Sequence, residues 1–170
     1  MLTARPLALL ALLLTMLAVL AGCGGDDAPQ TKEGFILEAD GVCATFVDEF
    51  AEAGAQDPGT PQEVAAANRV LADLYERFSE RIRDVELPAS GPARTQARAY
   101  IDSVRRSDPV LDRLRESSDA FLEAARGTDA QALRTTGNNL RQALDAFRAS
   151  RAVSDRLAVD YGLNLCGNLD

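Results

Sequence analysis

Residues 128–162 read TDAQALRTTGNNLRQALDAFRASRAVSDRLAVDYG, and this stretch decides the fold. Apolar residues recur in it at the heptad-like spacing of one helix face: Leu133, Leu140, Leu144, Phe147, Ala158 and Tyr161. Gly127-Thr128-Asp129 matches a sequence that ends one helix and caps the next. Gly162 is placed to end the helix that starts after this cap. The stretch therefore predicts one long amphipathic helix that ends at about Tyr161.

Three further helices are predicted on the amino-terminal side, at about residues 35–53, 61–85 and 92–126. Thr60-Pro61-Gln62-Glu63 marks the start of the second, because threonine can cap, proline suits the first turn and Glu63 can reach back to the capping amide. Pro109 should bend the third helix, since it removes the amide that would bond to the carbonyl of Arg105. Four amphipathic helices joined by short loops predict an all-α domain over residues 34–170, folded as an antiparallel four-helix bundle.

The composition also favours helices. Apolar residues make up 46% of the chain and aromatic residues only 5%, which suits closely packed helices better than strands. The net charge of −8 argues against nucleic-acid binding. Residues 23–57 hold nine acids against Lys32 alone. We interpret this acidic segment as a solvated helix face with a spacer, or alternatively as a docking surface for a basic partner.

The first 22 residues have the features of a secretory signal, with Arg5 followed by an apolar run that ends in small residues. Leu20-Ala21-Gly22-Cys23 resembles the lipobox of bacterial lipoproteins. The resemblance implies that residues 1–22 are removed, that Cys23 is lipidated, and that the chain is anchored on the extracytoplasmic face of the cell membrane. Residues 23–33 are polar and lack periodicity, so they are predicted to form a flexible tether. The alternative is an ordinary signal peptide with a chance cysteine.

Two cysteines remain, Cys43 in the first predicted helix and Cys166 just beyond the last. An exported compartment permits a disulfide between them, which would join the first helix to the C-terminal segment. The charge pattern agrees, since the first helix is acidic and the last carries five arginines: Arg134, Arg141, Arg148, Arg151 and Arg156. A redox-active or metal-binding cysteine pair is the alternative, although no CxxC motif or histidine accompanies it.

The two ends of the domain, residues 39–43 (ADGVC) and 161–167 (YGLNLCG), resemble small helical lipoproteins of high-GC Gram-positive bacteria. The ratio of 17 arginines to one lysine indicates the same GC-rich coding. The resemblance covers the domain only through its terminal cysteines, and the proteins of this group are mostly uncharacterised. It implies export and a cysteine staple, and nothing about activity.

The sequence lacks residues that most catalytic and metal sites need. It has no histidine, and its methionines, Met1 and Met16, lie in the predicted signal. Zinc, di-iron and thioether copper sites, and nucleophiles activated by histidine, each lack a required ligand or base. Phosphate loops, dinucleotide fingerprints and EF-hand loops do not occur in the sequence either. We therefore predict no catalytic residue, metal or cofactor and expect a non-enzyme, with a carboxylate-only mechanism as the open alternative.

Thr135-Thr136-Gly137-Asn138-Asn139 is a run of poor helix formers inside the last predicted helix. Folding the hairpin about its turn near residue 128 sets this run beside residues 117–119. We interpret it as a frayed or kinked solvent-facing patch, and the alternative is a small polar ligand site formed by Ser117, Ser118, Thr135 and Asn138. The same folding places residues 105–109 (RRSDP) opposite Arg148, Ser150 and Arg151. We interpret this region as a bend with surface ion pairs, and the alternative is a site for an anion or an acidic partner.

Three functions are compatible with these features. The favoured hypothesis is a non-catalytic binding or scaffolding module that contacts another envelope protein. The second is a carrier or sensor of a small or apolar ligand held in a cavity of the bundle, which a large apolar pocket would favour. The third is an envelope enzyme that uses carboxylates or serine, which a cleft with convergent acids of raised pKa would favour.

Overall fold

The computed structural model describes residues 29–54 and 59–169. Within them the chain is all-helical, which confirms the predicted fold class, and a short 3₁₀ turn follows the helices. The elements are α1 (Lys32–Glu52), α2 (Pro61–Asp84), α3 (Gly91–Arg105), α4 (Asp108–Arg126), α5 (Ala130–Tyr161) and the 3₁₀ turn (Cys166–Asn168). The predicted signal segment 1–22 and the predicted lipidation site Cys23 lie outside the described residues.

The third predicted helix is two helices in the structure, α3 and α4, so the prediction of a single bent helix was wrong. The break falls at Ser107, whose amide bonds back to the carbonyl of Val104 at 3.0 Å and closes α3. Pro109 has no amide to continue the ladder, and the carbonyl of Ser107 instead accepts the amide of Leu111 at 2.9 Å, which starts a new helix. The Ser107 hydroxyl also hydrogen-bonds to the hydroxyl of Ser150 on α5, with 2.7 Å between the oxygens, so the break is held against the neighbouring helix as the hairpin folding predicted.

Two helix ends follow the sequence signals closely. Thr60 accepts the amide of Glu63 with its hydroxyl, and the Glu63 carboxylate accepts the amide of Thr60, so the predicted capping box is present. Gly162 ends α5 with φ of +102°, a backbone conformation that side chains disfavour. α1 begins at Lys32, three residues before its predicted start, because the hydroxyl of Thr31 caps it.

The core is built around α4, which packs on both α2 and α5, with α1 on α2 and α3 on α5. Four buried aromatic rings meet at its centre: Phe46, Tyr75, Phe78 and Phe147. Tyr75 is perpendicular to Phe147 with ring centroids 4.9 Å apart, and Phe46 lies 5.3 Å from Phe78. Such edge-to-face and tilted pairs add to the stabilisation that burial gives. No helix in the described part of the chain is both long and apolar enough to span a membrane.

The C-terminal segment is fastened to α1 by a group of contacts that we call the C-terminal clamp. Cys43 and Cys166 form the predicted disulfide, with their Cα atoms 5.2 Å apart and both residues buried. One turn earlier on α1, the carboxylate of Asp40 accepts the backbone amides of Asn164, Leu165 and Cys166 at 3.2, 3.0 and 3.3 Å. The clamp therefore combines a covalent link with charge-assisted hydrogen bonds.

Candidate functional site

A groove runs between α2 and α5. Its larger part has a volume of about 680 Å³ and lies between Val64 of α2, Phe121 of α4 and the first half of α5. A smaller part of about 250 Å³ continues along α5 towards the aromatic residues of α1. Leu144 and Arg148 line both parts, so they form one continuous depression, which we call the α5 groove. It follows α5 from Leu133 to Arg151.

The floor of the α5 groove is apolar. Five residues of α5 line it at alternating intervals of four and three: Leu133, Gly137, Leu140, Leu144 and Phe147. This is the spacing of a coiled-coil seam, which packs against helices. Leu140 and Phe147 are buried in the core, whereas the other three are only half-buried. The structure thus leaves one edge of the seam open.

Gly137 fixes how closely α4 approaches the groove. A β-carbon at this position would lie 3.3 Å from the Phe121 ring of α4, closer than most side-chain contacts. The glycine therefore lets the Phe121 ring reach the floor, where it adds aromatic surface to the open edge of the seam.

Three arginines of α5 border the larger part of the groove, and we call them the arginine stripe: Arg134, Arg141 and Arg148. They recur every seven residues, a separation of about 10 Å along a helix axis. Each follows a seam residue directly and so occupies the flanking position that pairs with charges of a partner helix in coiled coils. Within residues 29–54 and 59–169, Arg134 and Arg141 make no ion pair, and Arg148 pairs only with Asp145 on its own helix, at 3.3 Å.

The stripe stands out because the chain as a whole carries a net charge of −8. Several other arginines form ion pairs within the molecule, for example Arg115 of α4, which contacts Asp73 at 3.1 Å and Glu76 at 2.6 Å on α2. Within the described residues, five further arginines also make no ion pair or side-chain hydrogen bond: Arg98, Arg105, Arg106, Arg113 and Arg156. The stripe differs from these five because its arginines recur at a regular spacing beside an apolar floor. A row of cations beside exposed apolar surface can attract an acidic amphipathic partner and fix its register.

The four residues of the alternative ligand site lie in different settings. Ser117 is half-buried, and Ser118 is buried with its hydroxyl donating to the carbonyl of Leu114 on its own helix, at 2.7 Å. Thr135 and Asn138 are exposed on α5. Only Asn138 of these four is among the residues that line the α5 groove. The structure therefore does not bring the four side chains together around one cavity in the described part of the chain.

A buried layer of hydroxyl groups lies beneath the break between α3 and α4. Burial raises the pKa of Tyr75, whose hydroxyl interacts with those of Ser107 and Ser154. Burial likewise raises the pKa of Tyr100, which lies with its hydroxyl 3.9 Å from the sulfur of Cys43. These phenols remain protonated at neutral pH, and they serve as hydrogen-bonding and packing groups of the core.

Two carboxyl groups have a displaced pKa, and structural partners lower both. A hydrogen bond from Arg81 lowers the pKa of Glu49 on α1, and the amide of Thr60 lowers that of Glu63. In the described residues, no three His, Cys, Asp or Glu side chains group together in a way that could hold a metal ion. A non-catalytic function stays a prediction.

Sequence reasoning missed the α5 groove although its signal was present. The heptad spacing of Leu133, Leu140 and Phe147 was recognised, but the arginines that follow them were assigned to pairing with the first helix, and Arg148 alternatively to an anion or acidic-partner site near residues 105–109. A cation repeated after every seam residue predicts a helix-binding edge.

Comparison with models of protein families, with curated proteins and with solved structures finds no significant match. The function proposed below therefore rests on the residues and geometry of this chain alone.

Proposed function

We propose that the chain is a lipoprotein anchored to the extracytoplasmic face of the cell membrane, where it acts as a non-catalytic binding module. Its binding surface is the α5 groove with the arginine stripe. Export is supported by the lipobox-like residues 20–23 and by the Cys43–Cys166 disulfide, a bond that persists in oxidising compartments. The helices form an antiparallel four-helix bundle in which α3 and α4 together make one interrupted arm, as the packing of α4 on both α2 and α5 favours.

The observation that carries the proposal is the combination of an open apolar floor with cations that the fold does not use. Single exposed apolar residues are ordinary, but a continuous apolar groove with a charged rim is typical of an interaction site. The residues that line it belong to long helices, so the surface is preformed and rigid.

A second candidate, a carrier of a small apolar ligand, is favoured by the groove volume. About 680 Å³ falls within the range of small-molecule pockets. The arginine stripe, however, extends along two heptads of α5, about 21 Å, which suits an elongated partner better than one small ligand.

The anchor is tested by labelling growing cells with a fatty-acid probe. The intact chain should incorporate the label, and Cys23→Ala should abolish incorporation. Cys43→Ala/Cys166→Ala is the matched control, because it removes two cysteines and keeps the proposed lipidation site. Label that persists in Cys23→Ala would refute the anchor.

The binding function is tested in intact cells with a photo-reactive amino acid in place of Asn138, which is exposed beside the stripe. Illumination should give discrete cross-linked species that disappear when Arg134→Glu and Arg141→Glu are added. The same amino acid in place of Arg98, which is exposed on α3, is the control. Identical products at the two positions would contradict the proposal, and a cross-linked lipid in place of a protein would favour the carrier.

A further inference from the structure

The exposed face of α1 has properties complementary to those of the α5 groove. Leu37 is 78% exposed, an unusually high value for a large apolar residue, and Ala44 and Ala51 follow it at intervals of seven. Glu38 and Glu52 follow Leu37 and Ala51 directly. At the two ends of this face an apolar residue is thus followed by an acid, where α5 has arginines, whereas Ala44 in the middle is followed by the uncharged Thr45.

We propose that the α5 groove binds α1 of a second copy of this chain, an inference that rests on the proposed binding function of the groove. Apolar residues of α1 would cover the open edge of the seam, and the acids beside them would meet the arginine stripe. Each copy carries both the acidic face and the groove, so each can contribute either surface to the contact.

The charge spacing on the two surfaces agrees. Glu38 and Glu52 are separated by 14 residues, and so are Arg134 and Arg148, the outer members of the stripe. Both pairs therefore span about 21 Å along their helices, so Glu38 can meet Arg134 while Glu52 meets Arg148 when the two helices lie side by side and run in the same direction. Asp48, also exposed on α1, lies ten residues after Glu38 and four before Glu52, so the position of α1 that matches Arg141 is the uncharged Thr45.

Few of the charged groups on the two surfaces have partners within the described part of the molecule: Glu38 accepts the side-chain amide of Gln30 at 3.0 Å, and Arg148 pairs with Asp145 on its own helix at 3.3 Å. Within the described residues, Asp48 and Glu52 of α1 make no ion pair, as Arg134 and Arg141 make none. Glu49, by contrast, faces α2 and contacts Arg81 at 2.7 Å, so α1 separates acids that serve the interior from acids that face outwards. Complementary charges of this kind orient partners and speed their association.

The small residues allow close approach. Gly41 and Ala44 on α1 keep the α1 backbone from being held away from the groove by bulky side chains. Leu37 then provides a large side chain for the apolar floor. The proposed lipid anchor would raise the local concentration of the chain on the membrane, so that a modest intrinsic affinity suffices for association.

The test uses two differently tagged copies of the full chain, expressed together in cells. One carries Leu37→Cys and the other Asn138→Cys, and mild oxidation is followed by a non-reducing gel. We expect a mixed dimer at about ten times the yield of the control pair Leu37→Cys with Arg98→Cys, since the proposed contact raises the effective concentration of the first pair of thiols only.

Charge reversal makes the test specific. Glu38→Arg/Glu52→Arg in the first copy, or Arg134→Glu/Arg148→Glu in the second, should each lower the yield about tenfold, because attraction becomes repulsion at two sites. The two reversals combined should restore it. Restoration also shows that neither variant failed to fold.

Yields equal to that of the control pair, insensitivity to charge reversal, or failure of the combined reversal to restore the dimer would each overturn the second-copy inference. The proposed function can fail separately. If the photo-reactive residue at position 138 still captures another protein in an arginine-dependent manner, the groove binds a partner that is not this chain. If it captures nothing beyond the control, both proposals are wrong.

Discussion

The regions next to the two ends of α5 differ in how many of their side chains are engaged in contacts within the molecule. At the carboxyl end, the C-terminal clamp joins residues 123 positions apart by a buried disulfide and by hydrogen bonds to Asp40. At the amino end, the α5 groove leaves half-buried apolar residues and unpaired arginines facing outwards. One end of the helix is therefore built for stability, and the other keeps a surface that the fold does not use.

This difference indicates a division of labour within one helix. A small all-helical domain gains most from covalent links that close long loops, because these reduce the entropy of the unfolded chain. A binding surface has the opposite requirement, since its apolar and charged groups must stay available. Variants at the two ends should therefore change stability by very different amounts.

The largest effect is expected from Cys43→Ala/Cys166→Ala. Without the disulfide, a loop of 123 residues is no longer closed in the unfolded chain, and the chain-entropy relation gives a loss of about 5 kcal/mol in the free energy of unfolding. Urea denaturation followed by circular dichroism measures the loss. Reduction of the intact chain should reproduce it, and a loss below about 1 kcal/mol would mean that the clamp does not depend on the disulfide.

Asp40→Ala tests the second part of the clamp. The substitution leaves the amides of Asn164, Leu165 and Cys166 without their acceptor, and we expect a loss of about 2 kcal/mol. Asp40→Asn keeps an oxygen acceptor and should lose less. Hydrogen exchange at these three amides should accelerate in Asp40→Ala, and unchanged protection would show that the carboxylate is not what holds the segment.

Thr60→Ala tests a cap at the groove side of the molecule. Thr60 starts α2, one turn before the groove residue Val64, and its hydroxyl accepts the amide of Glu63 at 3.2 Å. Loss of such a cap costs about 1 kcal/mol, well below the effect of the clamp. Thr45→Ala, on the exposed face of α1, is the control and should cost nothing measurable. If Thr60→Ala lowered the free energy of unfolding as much as Asp40→Ala does, the groove side would contribute as much to stability as the clamp, contrary to our expectation.

Much of the fold was predictable because its signals are local. The capping box at Thr60, the terminating Gly162 and the apolar periodicity of α5 each act within a few residues, and the structure confirms all three. The Cys43–Cys166 pair was also predicted, since few cysteines leave few ways to pair.

Features that depend on tertiary packing were harder to predict. The chain breaks at Ser107 where a bend was predicted: the missing amide of Pro109 acts locally, and the hydrogen bond from Ser107 to Ser150 on α5 adds a tertiary contact at the break. Ser118 was a candidate ligand-binding residue, but its hydroxyl is buried and bonds to its own helix. The groove arises where α2 and α5 face each other, so its depth and its α2 and α4 walls depend on tertiary packing, although the repeated arginines of α5 mark its edge in the sequence.

The smallest effect on stability is expected from Arg134→Gln/Arg141→Gln. Neither arginine makes an ion pair within residues 29–54 and 59–169, and glutamine is about as good a helix former, so the free energy of unfolding should change by less than about 0.5 kcal/mol. Arg115→Gln is the matched control, because this arginine bridges α4 to Asp73 and Glu76 of α2 and its loss should cost more. If the stripe variant proves as destabilising as Arg115→Gln, the stripe stabilises the fold, and the proposal that its arginines form a binding surface is wrong.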